Sequence, residues 1–125
     1  MDNTPILAVR DLSFSYKKNL VFSEVSFALD SGMIALLVGR NGSGKTTLMR
    51  CLSGWSTCKS GAISLCGEQF DGSEQKQRSQ VFFVNDTPAF YDDLTAEEHI
   101  RFILSVNGKK ERMSLAESYL KKFEL

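Results

Sequence analysis

Residues 36–54 read LLVGRNGSGKTTLMRCLSG: an apolar run, three glycines within six residues, a lysine and two threonines, then a helical pattern. Gly39-Arg40-Asn41-Gly42-Ser43-Gly44-Lys45-Thr46 satisfies the spacing G-x-x-x-x-G-K-[ST] in full. A chain of phosphates concentrates negative charge that many donors must meet at short range. Glycines let the backbone curl into a nest of inward N–H groups with no Cβ in the way. The helix that follows adds its first amides and the positive end of its dipole. Lys45 reaches the β- and γ-phosphates as a point charge, and the Thr46 hydroxyl is placed for Mg²⁺. The loop reads as a nucleotide-phosphate site.

Outward from the loop, MIALLVG (33–39) is a continuous apolar run, as expected for a strand buried on both faces of a sheet. Upstream, ILAVRDLSFSY (6–16) and VFSEVSFALD (21–30) carry β-branched and aromatic residues at partial period two around the polar KKN. That pattern predicts a pair of antiparallel strands. Downstream, a helix is expected from Gly44 to Leu52, then short strands at AISLCG (62–67) and VFFVN (81–85). Thr95-Ala96-Glu97-Glu98 fits a capping box, with Ile100, Ile103 and Leu104 at helical spacing behind it. Ser114-Leu115-Ala116-Glu117 offers a second box ahead of Tyr119, Leu120 and Phe123. Strands first and helices last give an α/β class, with a β-rich loop-bearing part over 1–94 and a helical part beginning at 95 and running to 125.

At 125 residues and 42% hydrophobic, the chain supports one modest core. Formal net charge is zero, split about residue 62 into +3 and −3, so no nucleic-acid partner is expected. No run approaches 18 apolar residues, and the start MDNTP lacks the features of a secretory leader, so a cytoplasmic location is expected. Cys51, Cys58 and Cys66 include no C-x-x-C, and His99 is the sole histidine, which argues against zinc and for reduced packing thiols.

The ordered set LSFSY, GRNGSGKTTLMRCLSG, SGAISLCG and LTAEEH resembles the ATP-binding subunit of ABC transporters. The resemblance covers nearly the whole chain, and small exporters of the haem-exporter and ABC-2 kind look closest. It implies a P-loop NTPase core with an N-terminal antiparallel β-subdomain and the incomplete start of a helical subdomain. It also implies ATP and Mg²⁺ as ligands, and an ATPase that powers export or import. The implied partners are a second ATP-binding subunit and a transmembrane permease, which would hold the protein at the membrane from the cytoplasmic side. Residue by residue, Tyr16 would stack on adenine, the alternative being packing against its strand neighbour. Gly39, Asn41, Gly42, Ser43, Gly44 and Lys45 would cradle the phosphates. Thr46 would meet Mg²⁺, and Thr47 would touch a phosphate oxygen. Trp55 is expected in the core.

Two departures from the family pattern stand out. Asp86 falls where the family places a glutamine that touches Mg²⁺ and the attacking water. A carboxylate can bind Mg²⁺ but cannot donate as an amide does. The alternative for Asp86 is an Asx-turn residue starting a bend at Thr87-Pro88. Second, the sequence holds no L-S-G-G-Q signature, no apolar strand ending in Asp-Glu and no switch histidine. His99 takes the family's asparagine position and is expected to face solvent. The chain is therefore expected to be an N-terminal portion, a shortened product or part of a split gene, and inactive alone. A small P-loop kinase or GTPase with Asp86 as metal ligand, and a nucleotide-binding regulatory module without turnover, are the other readings open at this point.

Overall fold

The computed structural model describes residues 4–86 and 90–124, so the bend expected at Thr87-Pro88 lies outside the described residues. The chain forms two units, 1–83 and 84–125. In the first, β1 (Leu7–Tyr16) and β2 (Asn19–Leu29) make the expected antiparallel hairpin. β3 (Ser60–Leu65) pairs with the other edge of β1, and β4 (Glu68–Phe70) with β3, giving the order β2-β1-β3-β4.

The partial alternation of β1 has a structural cause. Asp11 adopts φ 48, and the pairing with β2 shifts between Val9 and Leu12. The bulge lets Val9, Leu12 and Phe14 all face inward although Val9 and Leu12 are three residues apart. Ser26 Oγ accepts the displaced Asp11 N–H at 2.8 Å. On the other side, β3 crosses this bulge at Gly61, where φ is 89 and a Cβ would lie 2.5 Å from the Asp11 carbonyl oxygen. Only glycine fits that crossing.

Helix α1 (Lys45–Leu52) follows the glycine loop as expected. It places Leu48 and Cys51 in one cluster with Val9, Leu12, Phe14, Ile63 and Phe70. Burying these apolar side chains is the main favourable term in the unit. A short helix, α2 (Gln75–Arg78), closes the segment after β4: Gln77 and Arg78 side chains bond to backbone at Gln69, Gly72 and Ser73.

The buried strand expected at 33–39 and the short strand expected at 81–85 do not form. Both segments lie outside the four-stranded sheet, and Ile34 is 99% exposed. An apolar strand covered on both faces needs hydrogen-bonded neighbours and covering layers. Neither run has a strand partner among the described residues. Trp55, expected in the core, is 73% exposed and makes a T-shaped contact with Phe83, with ring centroids 5.9 Å apart. Cys66 also departs from the packing role expected of it and is exposed.

In the second unit, Thr95 caps α3 (Ala96–Val106) through a complete capping box. The Glu98 N–H donates to Thr95 Oγ1 at 3.3 Å, and Thr95 N–H donates to Glu98 Oε2 at 2.8 Å. The second expected box is displaced: a 3₁₀ turn over Lys110–Arg112 leads directly into α4 (Met113–Lys122), so Ser114 is already helical and caps nothing. His99 corrects another expectation, being only 9% exposed. Its Nε2 accepts the Tyr91 N–H at 2.7 Å and its Nδ1 lies 3.3 Å from the Thr95 carbonyl oxygen. The ring also stacks on Tyr91 and meets Phe90 edge-on. His99 thus pins the 90–94 loop to the start of α3.

Candidate nucleotide-phosphate site

The glycine loop connects the exposed 33–38 run to α1, and its geometry is set by three close approaches. Gly44 is the N-cap of α1 with φ 93, and a Cβ there would sit 2.8 Å from Val21 Cγ1 and 3.5 Å from Phe22 Cδ1. A Cβ on Gly39 would lie 2.7 Å from Ser43 Oγ. Ser43 N–H donates to the Arg40 carbonyl at 3.1 Å and closes the turn, while Gly42 stands at φ 80 with open space around it.

No side chain caps α1, and no acidic residue lies in its first turn. The first amides of a helix have no partner inside it. Here they are left by the chain for something else, at the positive end of the helix dipole. Lys45 Nζ folds back over the loop and donates to the carbonyl oxygens of Gly39 at 2.7 Å and Arg40 at 2.9 Å. Its ammonium is therefore held against the loop by two carbonyl acceptors. Asn41 and Thr46 are exposed, and Thr47 is half-buried.

Tyr16 connects to the loop through a ladder of rings. Gly44 lies against Phe22; Phe22 stacks on its cross-strand partner Phe14 at 6.1 Å; Phe14 meets the edge of Tyr16 at 4.8 Å. Tyr16 keeps 51% of its surface exposed, so packing on its neighbour leaves ring surface open. Val21 and Phe22, which seat Gly44, carry no motif of their own, and sequence reasoning passed over them. Asp86 belongs to the second unit, is exposed, and its N–H donates to Asn85 Oδ1 at 3.1 Å.

Gly39–Thr46 carries backbone donors, a cation and a hydroxyl within eight residues at the start of a helix, a set that suits an anionic phosphate chain. It also fits Mg²⁺ carried by such a ligand. No group of three or more His, Cys, Asp or Glu side chains forms a metal cage among the described residues. Mg²⁺ bound with phosphates needs only one or two protein oxygens, and waters complete its shell.

Residues 22–125 match the family model described as ABC transporter. The ABC-type transporter ATP-binding protein EcsA of Bacillus subtilis is 37% identical over 109 residues, covering 86% of this chain and 44% of that protein. The cytochrome c biogenesis ATP-binding export protein CcmA of Cupriavidus pinatubonensis is 34% identical, covering 83% of this chain and 46% of its own length. Among solved structures, an ATP-binding subunit of an ABC transporter superposes with a TM-score of 0.72 at 35% identity, covering 82% of this chain and 43% of the other. The chain thus spans less than half the length of these relatives. The α/β fold of P-loop ATPase subunits is shared with them.

Proposed function

The chain belongs to the ABC transporter family, and from that premise we propose that it binds Mg·ATP across Gly39–Thr46 as the ATP-binding part of a transport ATPase. One observation carries this reading: the N-terminus of α1 has no side-chain cap and the Lys45 ammonium lies 2.7 and 2.9 Å from the loop's own carbonyls. In this reading the nucleotide displaces those carbonyls as Lys45's partner. The Gly42, Ser43 and Gly44 backbone and the first amides of α1 orient the phosphates, with Asn41 and Gly39 shaping the rim. Thr46 supplies a hydroxyl to Mg²⁺ and Thr47 one to a phosphate oxygen. Bound Mg²⁺ would neutralise charge on the phosphate oxygens. Tyr16 offers its open ring surface to adenine. By the family's pattern Asp86 stands at the glutamine position, with a carboxylate that accepts but does not donate.

We place the helical subdomain's start at Thr95. We further propose that the intact protein pairs with a second ATP-binding subunit and a membrane permease. CbiO1 of Clostridium perfringens, described as part of the ABC transporter complex cbiONQ, supports that reading at 25% identity and a TM-score of 0.55. No helix among the described residues is long and apolar enough to cross a membrane. By the family resemblance we propose attachment through the permease, on the cytoplasmic side. CcmA's name as an export protein favours export.

The test is a calorimetric titration with Mg·ATP and, separately, with inorganic triphosphate, alongside a phosphate-release assay. Binding of both, with ATP tighter and no Lys45-dependent release, is the expected outcome, because the sequence offers no second donor set for the γ-phosphate. Binding of neither ligand refutes the nucleotide site. Steady Lys45-dependent release, on the order of 1 s⁻¹ or more, refutes the inactivity of the 125-residue chain.

A further inference from the structure

The end of α1 brings two thiols together. Trp55 and Ser56 N–H groups both donate to the Arg50 carbonyl, at 2.9 and 3.2 Å, so the chain doubles back as soon as the helix stops. That reversal returns Cys58 to the last turn of α1, where Cys51 is 2% exposed. Cys58 is half-buried and packs against the cluster that contains Cys51. Both line one cavity of about 200 Å³, together with Ser56, Thr57 and Gln69. Burial, and then the Cys58 thiol beside it, push the Cys51 thiol above its ordinary range and keep it protonated.

We propose that Cys51 and Cys58 form an oxidative modification site that hydrogen peroxide closes into an intrachain disulfide. The partly accessible Cys58 reacts first. Its thiolate sulfur attacks one peroxide oxygen, the O–O bond breaks, and hydroxide leaves and is protonated to water. As its proton passes to the Cys58 sulfenic hydroxyl, the Cys51 sulfur attacks the Cys58 sulfur. The S–S bond forms, the S–O bond breaks, and the departing hydroxyl takes the Cys51 proton as a second water. Two thiols lose two electrons in all, and one peroxide becomes two waters. The bond would staple the last turn of the helix that begins at Lys45 to the loop entering β3.

Cys66 provides an internal control. It is exposed at the turn between β3 and β4 and lies eight residues after Cys58, whereas Cys51 lies seven before it. In an unfolded chain, loops of seven and eight residues close within about 1.2-fold of each other. Only the fold can make Cys58 choose Cys51. The purified 125-residue chain is treated with hydrogen peroxide, natively and in urea, alkylated, digested and analysed by mass spectrometry. Natively, the 51–58 linkage should exceed 58–66 by at least about tenfold, since disulfide geometry is strict. In urea the two should be about equal. The Cys66→Ser variant should keep the native 51–58 yield, and thiol reductant should reverse it. A native ratio equal to that in urea overturns the proposal. So does a native product in which Cys58 is over-oxidised or joined to Cys66 while Cys51 stays a free thiol.

Discussion

Replacing Gly44 by alanine tests how the fold holds the phosphate loop. Gly42 and Gly44 both have positive φ, at 80 and 93. A non-glycine residue there costs about 1–2 kcal/mol, and the reduced freedom of the unfolded chain returns about 0.4–1 kcal/mol. Gly42→Ala meets open space, so its net cost is that difference, from about 0 to 1.6 kcal/mol. Gly44→Ala adds a methyl 2.8 Å from Val21 Cγ1. Overpacking of that kind costs about 1–3 kcal/mol more. For a unit of this size each kcal/mol moves Tm by about 4–8 °C. Thermal unfolding followed by circular dichroism should therefore place Gly44→Ala at least about 4 °C below Gly42→Ala. Combining Gly44→Ala with Val21→Ala removes the clashing methyl, and a double-mutant cycle should return a favourable coupling of about 0.5–3 kcal/mol. If the two glycine variants melt together, or the cycle shows no coupling, the seat of the loop against β2 is wrong.

Tyr16→Ala should weaken Mg·ATP by about 1–3 kcal/mol while leaving inorganic triphosphate nearly unchanged, by analogy with base stacking on aromatics; equal losses in calorimetry would make Tyr16 structural. Bonds from the Thr95 backbone N–H, and next from its hydroxyl, hold the Glu98 carboxyl below the usual range. A depressed folded value means that this stabilisation is full above the unfolded value of about 4.3 and is lost as pH falls through the folded value. Far-ultraviolet circular dichroism should show helix loss in that acid window, and Thr95→Ala should flatten the dependence; an unchanged profile contradicts the capping role. His99→Leu leaves the Tyr91 N–H without its acceptor and should cost about 0.5–1.5 kcal/mol in the second unit. His99→Gln, which offers a carbonyl oxygen, should cost less in denaturant unfolding, and equal costs would mean that packing alone matters.

What was legible in the sequence is what local chemistry determines. The hairpin follows from alternation, the glycine loop from its spacing, and the cap of α3 from Thr95 and Glu98. Elements that depend on distant partners were not legible in the same way. The 33–39 and 81–85 runs carry strand composition, but composition cannot supply neighbouring strands. The bulge at Asp11 depends on Ser26 across the hairpin, and Gly61 matters only once β3 is laid beside it. His99 is buried because the 90–94 loop folds over it and donates the Tyr91 N–H, a contact no helical period announces. β4 and α2 are too short to have a period, and α2 is tied down by side chains reaching backbone. In the candidate site, the loop and Lys45 could be read directly, whereas the Val21–Phe22 seat emerged only from the packing. The proximity of Cys51 and Cys58 likewise needed the chain reversal after α1.

Everything proposed for the site turns on Lys45. Its ammonium now satisfies two loop carbonyls, at 2.7 and 2.9 Å, and is expected to exchange them for phosphate oxygens. A charged hydrogen bond of this kind contributes about 1.5–3 kcal/mol, roughly 10- to 150-fold in affinity. Isothermal titration of Mg·ATP into the unaltered protein and into Lys45→Ala measures that difference directly. The account predicts measurable binding to the first and a loss of at least about tenfold in the second, with the thermal unfolding of the two proteins otherwise similar. Equal affinities for both proteins would contradict it.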